Sequence, residues 1–85
     1  MIRIGIVGCG AIGSALARAI DRDYANVARV VALAEQDHTR AQALTQSLRS
    51  RPAIVSLPQL IRRSDLVIEA AAASIAARTA LLALS

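Results

Sequence analysis

The chain has 85 residues, one domain's worth, and its ten basic residues, all arginine, outnumber six acids to give a net charge of +4. Apolar residues make up 55% of it and aromatics 1%, so any core must be assembled from Ala, Val, Ile and Leu; a domain this small buries only about 60–65% of the surface that its unfolded chain exposes. One cysteine excludes an internal disulfide, one histidine without partners at ligand spacing speaks against a zinc site, and arginines scattered mostly singly, without aromatic neighbours, speak against nucleic-acid binding.

The longest uncharged run, residues 4–17, is broken by glycines and is shorter than the roughly 18 residues that a membrane span needs. Ile6-Val7-Gly8-Cys9 has the outline of a lipoprotein cleavage box, but too little precedes it to make a signal peptide. A cytoplasmic protein with no membrane partner is expected.

Ile2–Val7 is β-branched at nearly every second position and apolar on both faces apart from Arg3, the pattern of a buried parallel strand. All four glycines, Gly5, Gly8, Gly10 and Gly13, fall in the first thirteen residues, and the last three form Gly-Cys-Gly-Ala-Ile-Gly directly after this strand. Gly8 suits a tight turn from strand to helix, Gly10 lets the backbone approach a pyrophosphate, and Gly13 lets the helix lie close on the strand. The free N–H groups and positive dipole end of that helix then face the phosphates. Gly8, Cys9, Gly10, Ala11, Ile12 and Gly13 are thus the expected cofactor-binding turn, against the simpler alternative of a tight turn with no ligand. Cys9, at a variable motif position, reads as small filler.

The helix is expected over residues 11–22, packing on the sheet through Ile12, Leu16, Ala19 and Ile20. A second apolar strand follows in residues 29–35 and ends at Glu35, twenty-two residues past Gly13, where a carboxylate accepts hydrogen bonds from an adenosine ribose 2′-hydroxyl. That position predicts NAD over NADP, with Arg40 the candidate for a 2′-phosphate if NADP is used. Asp37 is placed to cap a helix over residues 38–48, with Ala41, Leu44 and Leu48 on its inner stripe.

Residues 49–52 form a connection and 53–55 a short third strand; Ser56 then caps a helix with Pro58 in its first turn and Leu57, Leu60 and Ile61 inward. Ser64-Asp65 ends that helix, and Leu66-Val67-Ile68 is a fourth strand ending at Glu69, which either caps the next turn or faces the nicotinamide. The loop 70–73 has no side-chain chemistry, so Ala70 and Ala71 are expected to contribute backbone close to the cofactor. A last helix begins near Ser74, with Ile75, Thr79 and Leu82 on one face. The alternation predicts an α/β fold, a Rossmann-type doubly wound parallel sheet truncated to about four strands in the order 3-2-1-4, with one dinucleotide-binding domain over residues 1–85. The ligand is expected across the carboxyl ends of strands one and four, at the topological switch. An open edge on the fourth strand, or the apolar face of the helix from Ile75 to Leu84, favours self-association, and a homo-oligomer is expected.

From Ile2 onward the chain resembles the N-terminal part of the L-aspartate dehydrogenase family, whose fold relatives include homoserine dehydrogenase and dihydrodipicolinate reductase. The block Ile4-Gly5-Ile6-Val7-Gly8-Cys9-Gly10-Ala11-Ile12-Gly13 is shared with many dehydrogenases, and Asp65-Leu66-Val67-Ile68-Glu69-Ala70-Ala71 is more selective. The resemblance implies NAD(P)-linked oxidation of aspartate to iminoaspartate, with hydride moving between the substrate Cα and nicotinamide C4. It also implies a second domain, absent from this sequence, that holds the substrate and an acid/base histidine. His38, at the start of the second helix near the adenosine end, does not replace that histidine. The expectations are a nicotinamide dinucleotide as ligand, no metal, no catalytic residue in these 85 positions, a small-molecule substrate only in a full-length enzyme, and no turnover by this chain alone. The alternatives are an NAD(P)-sensing or interaction module without redox chemistry, another dehydrogenase of the homoserine dehydrogenase or dihydrodipicolinate reductase type, and a degenerate domain without ligand.

Overall fold

Four strands pair in parallel in the order β3-β2-β1-β4: β1 is Ile2–Val7, β2 Ala28–Ala34, β3 Ala53–Ile54 and β4 Leu66–Glu69. They belong to a computed structural model that describes residues 1–70; Ala71 and the helix expected from Ser74 lie outside the described residues. The connections are α1 (Ala11–Asp23), α2 (His38–Ser47) and α3 (Leu57–Arg63). The α/β class and strand order are those expected from the alternation.

Two apolar clusters hold the layers together. Ala17 of α1 and Leu44 of α2 pack with Ile4, Ile6, Val30 and Leu33 on one face of the sheet, while Leu60 of α3 packs with Val7 and Ala32 on the other. Strand alternation alone would send Val30 and Leu33 to opposite faces. The register explains why it does not: Ile4 opposes Val30 but Gly5 opposes Ala32, so Val31 is an extra residue in β2. This bulge inverts the alternation and returns Leu33 to the face of α1 and α2.

The caps follow the sequence closely. Asp37 Oδ1 accepts the N–H of Arg40 at 3.1 Å, and Ser56 with Gln59 forms a capping box at the start of α3. Leu48 is the cap residue after α2 and is buried. Val55 lies just past β3, yet its N–H still donates to the Leu33 carbonyl at 2.9 Å.

The packing face of α1 differs from expectation. Gly13 and Ala17 are buried, and Ile20 is half-buried against the core, whereas Ile12 is 61% and Leu16 38% exposed. Small residues win because the helix axis must come close to the sheet at its first turn, leaving no room there for branched side chains. Asp21 on the same helix accepts the N–H groups of Arg49 and Ser50 at 2.9 and 3.2 Å, which turns that flank toward the end of α2. Ile12 and Leu16 occupy the opposite flank.

Candidate functional site

The site is built where β1 runs into α1. Gly8 has φ 92°, a left-handed conformation that favours glycine, and its N–H donates to the Ala34 carbonyl at 2.9 Å. The Ala70 N–H donates to the Val7 carbonyl at 2.8 Å, so the ends of β2, β1 and β4 meet around this turn. A Cβ on Gly13 would overlap the Gly8 carbonyl oxygen and stand 3.3 Å from the Ala70 Cβ. Gly13 is therefore glycine because α1 touches the turn.

Gly10 is different. It is the N-cap residue of α1, with φ −73° and no side-chain cap, and among the described residues a Cβ there would find only Arg40 Nη1, 4.0 Å away. The first turn of α1 also contains no acidic residue, so its backbone donors are not neutralised from within. Ala11 and Ile12 are exposed at this end.

Cys9 points into the core and is 1% exposed, while its N–H donates to Glu35 Oε1 at 2.9 Å and its carbonyl accepts from Ser14 Oγ at 2.9 Å. Burial pushes its thiol up to about 11, the Glu35 carboxylate adds to the rise, and Arg40 partly offsets it. Such a thiol stays protonated and unreactive near neutral pH.

Glu35 lies one residue beyond β2. Its other oxygen, Oε2, accepts the N–H groups of Gln36 at 2.7 Å and Asp37 at 3.4 Å. The carboxylate thus ties the end of β2 to the glycine turn while remaining at the rim. Arg40 extends from the first turn of α2 beside Asp37, Nε to Oδ2 3.9 Å, with its side chain 58% exposed. Glu69 is half-buried at the end of β4, in register with Val7.

The structure brings Gly8, Cys9, Gly10, Ala11, Ile12, Gly13, Glu35 and Ala70 to one end of the sheet, and Ala71 lies outside the described residues. Three residues make supporting contacts beyond the roles expected of them. Gly5 has no role in the turn, but a Cβ there would overlap Ser64 Oγ and lie 2.6 Å from Leu60 Cδ2, so it admits α3 onto β1. Its signal was available, since an isolated glycine inside a strand marks a close approach. Ser14 and Asp65 make contacts that no local pattern announces. Among the described residues there is no group of His, Cys, Asp and Glu able to hold a metal, and no helix is long and apolar enough to cross a membrane.

Known proteins resemble this chain in sequence and in fold. Residues 8–85 match the model of the homoserine dehydrogenase NAD-binding domain. The whole chain is 44% identical to an L-aspartate dehydrogenase of Methanocella arvoryzae but covers 31% of it, and 72 residues are 42% identical to one of Methanosarcina acetivorans, covering 26% of that protein. The chain therefore spans less than a third of the length of these relatives. A crystal structure from Sinorhizobium meliloti 1021, described as a candidate myo-inositol dehydrogenase, superposes with a TM-score of 0.66 at 25% identity, over 81% of this chain and 20% of that one. The chain belongs to the homoserine dehydrogenase NAD-binding domain family, as a segment homologous to the N-terminal, NAD-binding part of L-aspartate dehydrogenases.

Proposed function

We propose that this chain binds the adenosine and pyrophosphate parts of a nicotinamide dinucleotide, within a longer enzyme that oxidises aspartate to iminoaspartate. The observation that carries the reading is the uncapped start of α1: a long helix opens at Gly10 with free donors, no acidic residue in its first turn, and open space where a side chain would stand. A dinucleotide fits this arrangement, since the missing Cβ leaves a cradle of the kind that a pyrophosphate requires. Gly8 and Gly13 hold the turn against the helix, and Ala70 flanks it. Glu35 Oε1 accepts one N–H, from Cys9, and so has capacity left for a ribose hydroxyl.

When bound, the nicotinamide supplies a hydride acceptor. The residues of this chain do the rest of the local work: the α1 donors hold the phosphates, Glu35 orients the ribose, and the ends of β1 and β4 form the floor over which the nicotinamide half extends. The carboxylate of Glu35 also disfavours a 2′-phosphate, which supports NAD over NADP. The wider enzyme is read as cytoplasmic and homo-oligomeric.

The test is made on the full-length protein. Aspartate-dependent reduction of NAD, followed by nicotinamide absorbance, is expected, and Glu35→Gln is expected to narrow the preference for NAD over NADP. Turnover with another amino acid or hydroxy acid but not aspartate contradicts the substrate assignment. An unchanged NAD to NADP ratio in Glu35→Gln contradicts the role given to Glu35.

A further inference from the structure

Among the described residues, one cation stands over the glycine turn, and the fingerprint does not account for it. Arg40 begins on α2, thirty positions after Gly10 in sequence, yet its Nη1 is the one atom of the described residues, the turn's own neighbours aside, that comes within 4.0 Å of the point where a Gly10 Cβ would be. The guanidinium is neither buried nor consumed by a tight ion pair. Its nearest carboxylate oxygen, on Asp37, is 3.9 Å from Nε, and the Arg40 N–H is satisfied separately by the other Asp37 oxygen at 3.1 Å. Asp37 therefore steers the side chain along the rim and leaves the outer guanidinium donors available.

Where those donors point decides what they bind. Glu35, at the ribose end, has its carboxylate drawn onto Cys9, Gln36 and Asp37. Arg40 passes beyond this carboxylate and reaches the next part of the turn, at the N-cap of α1. That is the part where the motif lets a pyrophosphate approach the backbone. The field of Arg40 at the neighbouring Cys9 thiol agrees with this placement.

We infer that Arg40 is a pyrophosphate ligand, a cation contributed by α2 that closes over the anion held from below by the start of α1. The inference rests on the dinucleotide reading above and departs from the usual assignment of an arginine at this distance past the acidic residue, which is to an adenosine 2′-phosphate. A planar guanidinium facing two linked phosphates donates to oxygens of both, so the contact serves NAD and NADP alike.

The experiment is calorimetric titration of the full chain with NAD and with NADP, using wild type, Arg40→Gln and Arg40→Lys. Charge-assisted hydrogen bonds in an exposed site lie at the weak end of their range, so Arg40→Gln should weaken both ligands by about tenfold. Arg40→Lys should restore most of the loss, and the salt dependence of NAD binding should flatten in Arg40→Gln. A loss confined to NADP overturns the inference and returns Arg40 to the 2′-phosphate. No loss for either ligand also overturns it. Failure of the wild type to bind either dinucleotide removes the underlying reading instead, and circular dichroism of the exposed-site variants separates all these outcomes from misfolding.

Discussion

Three glycines of the same motif have three different reasons to be glycine. At Gly8 it is the left-handed backbone, at Gly13 the carbonyl of Gly8, and at Gly10 no steric demand among the described residues, where a Cβ would meet only Arg40 Nη1 at 4.0 Å. Substitutions should therefore separate. Gly13→Ala forces α1 off the turn and is expected to cost about 1–3 kcal/mol or more, the range for overpacking, visible as a drop of several degrees in Tm. Gly10→Val is expected to cost less, about 1 kcal/mol at most, the difference between glycine and a branched residue at an N-cap. At Cys9 the consequence is pH dependence: with the thiol raised from 9.0 to about 11, the folded state holds its proton more tightly than the unfolded state. That contribution is intact below pH 9 and is lost as the pH rises from 9 toward 11. Denaturant titrations should show a steeper alkaline loss in wild type than in Cys9→Ala, and equal slopes would contradict the account. The glycine spacing was readable from sequence because it is local. The bond from the Cys9 N–H to Glu35 was not, because it joins residues 26 apart that only the finished sheet brings together.

At the level of elements, local chemistry announced the starts of the three described helices, while tertiary packing decided which face was buried. Asp37 and Ser56 cap as their residue types predict. In α1, however, the apolar stripe through Ile12 and Leu16 suggested the wrong inner face. Hydrophobicity ranks a branched side chain above glycine and alanine, whereas close approach to β1 ranks it below. Ile12→Ser should accordingly change stability by less than about 0.5 kcal/mol, as for a surface position; a large loss of Tm would mean that it lies in the core. The bulge at Val31 was equally hidden, since a continuous apolar strand carries no alternation to break.

The start of the sheet has its own fastener. Asp65 accepts from Arg3 through the backbone N–H at 2.9 Å and twice through the guanidinium, and returns its own N–H to the Arg3 carbonyl at 2.8 Å. This explains the charged residue just before β4. The Arg3 side chain, then its backbone N–H, hold the Asp65 carboxyl down from 3.8 to about 2. Its stabilising effect is present above pH 3.8 and lost as the pH falls through about 2. Asp65→Asn should remove this segment of the acid-unfolding curve while leaving the neutral fold in place. An identical acid limb would show that the pair contributes nothing.

For the molecule as a whole, the alternation of strands and helices was enough to read the class, the strand order and the end of the sheet that holds the turn. What it did not determine was how side chains share that end, with Glu35 drawn onto the backbone and Arg40 over Gly10. The chain spans less than a third of its relatives' length, and among the described residues β4 pairs with β1 alone. Leu66 on β4 and Ile2 on β1 are also exposed. We expect the 85-residue chain to self-associate through this apolar side, as light scattering would report, and to turn over no aspartate. A monomer across the micromolar range would refute the first expectation.

The central claim is that the turn at Gly10 is shaped for a dinucleotide and not merely for folding. Calorimetric titration of the chain and of Gly10→Val with NAD tests it most directly, because a Cβ at this position enters the cradle and meets no described atom closer than Arg40 Nη1 at 4.0 Å. The account predicts one NAD per chain in the wild type, no measurable binding by Gly10→Val, and matching circular dichroism for the two. Equal NAD affinity in both proteins would contradict it.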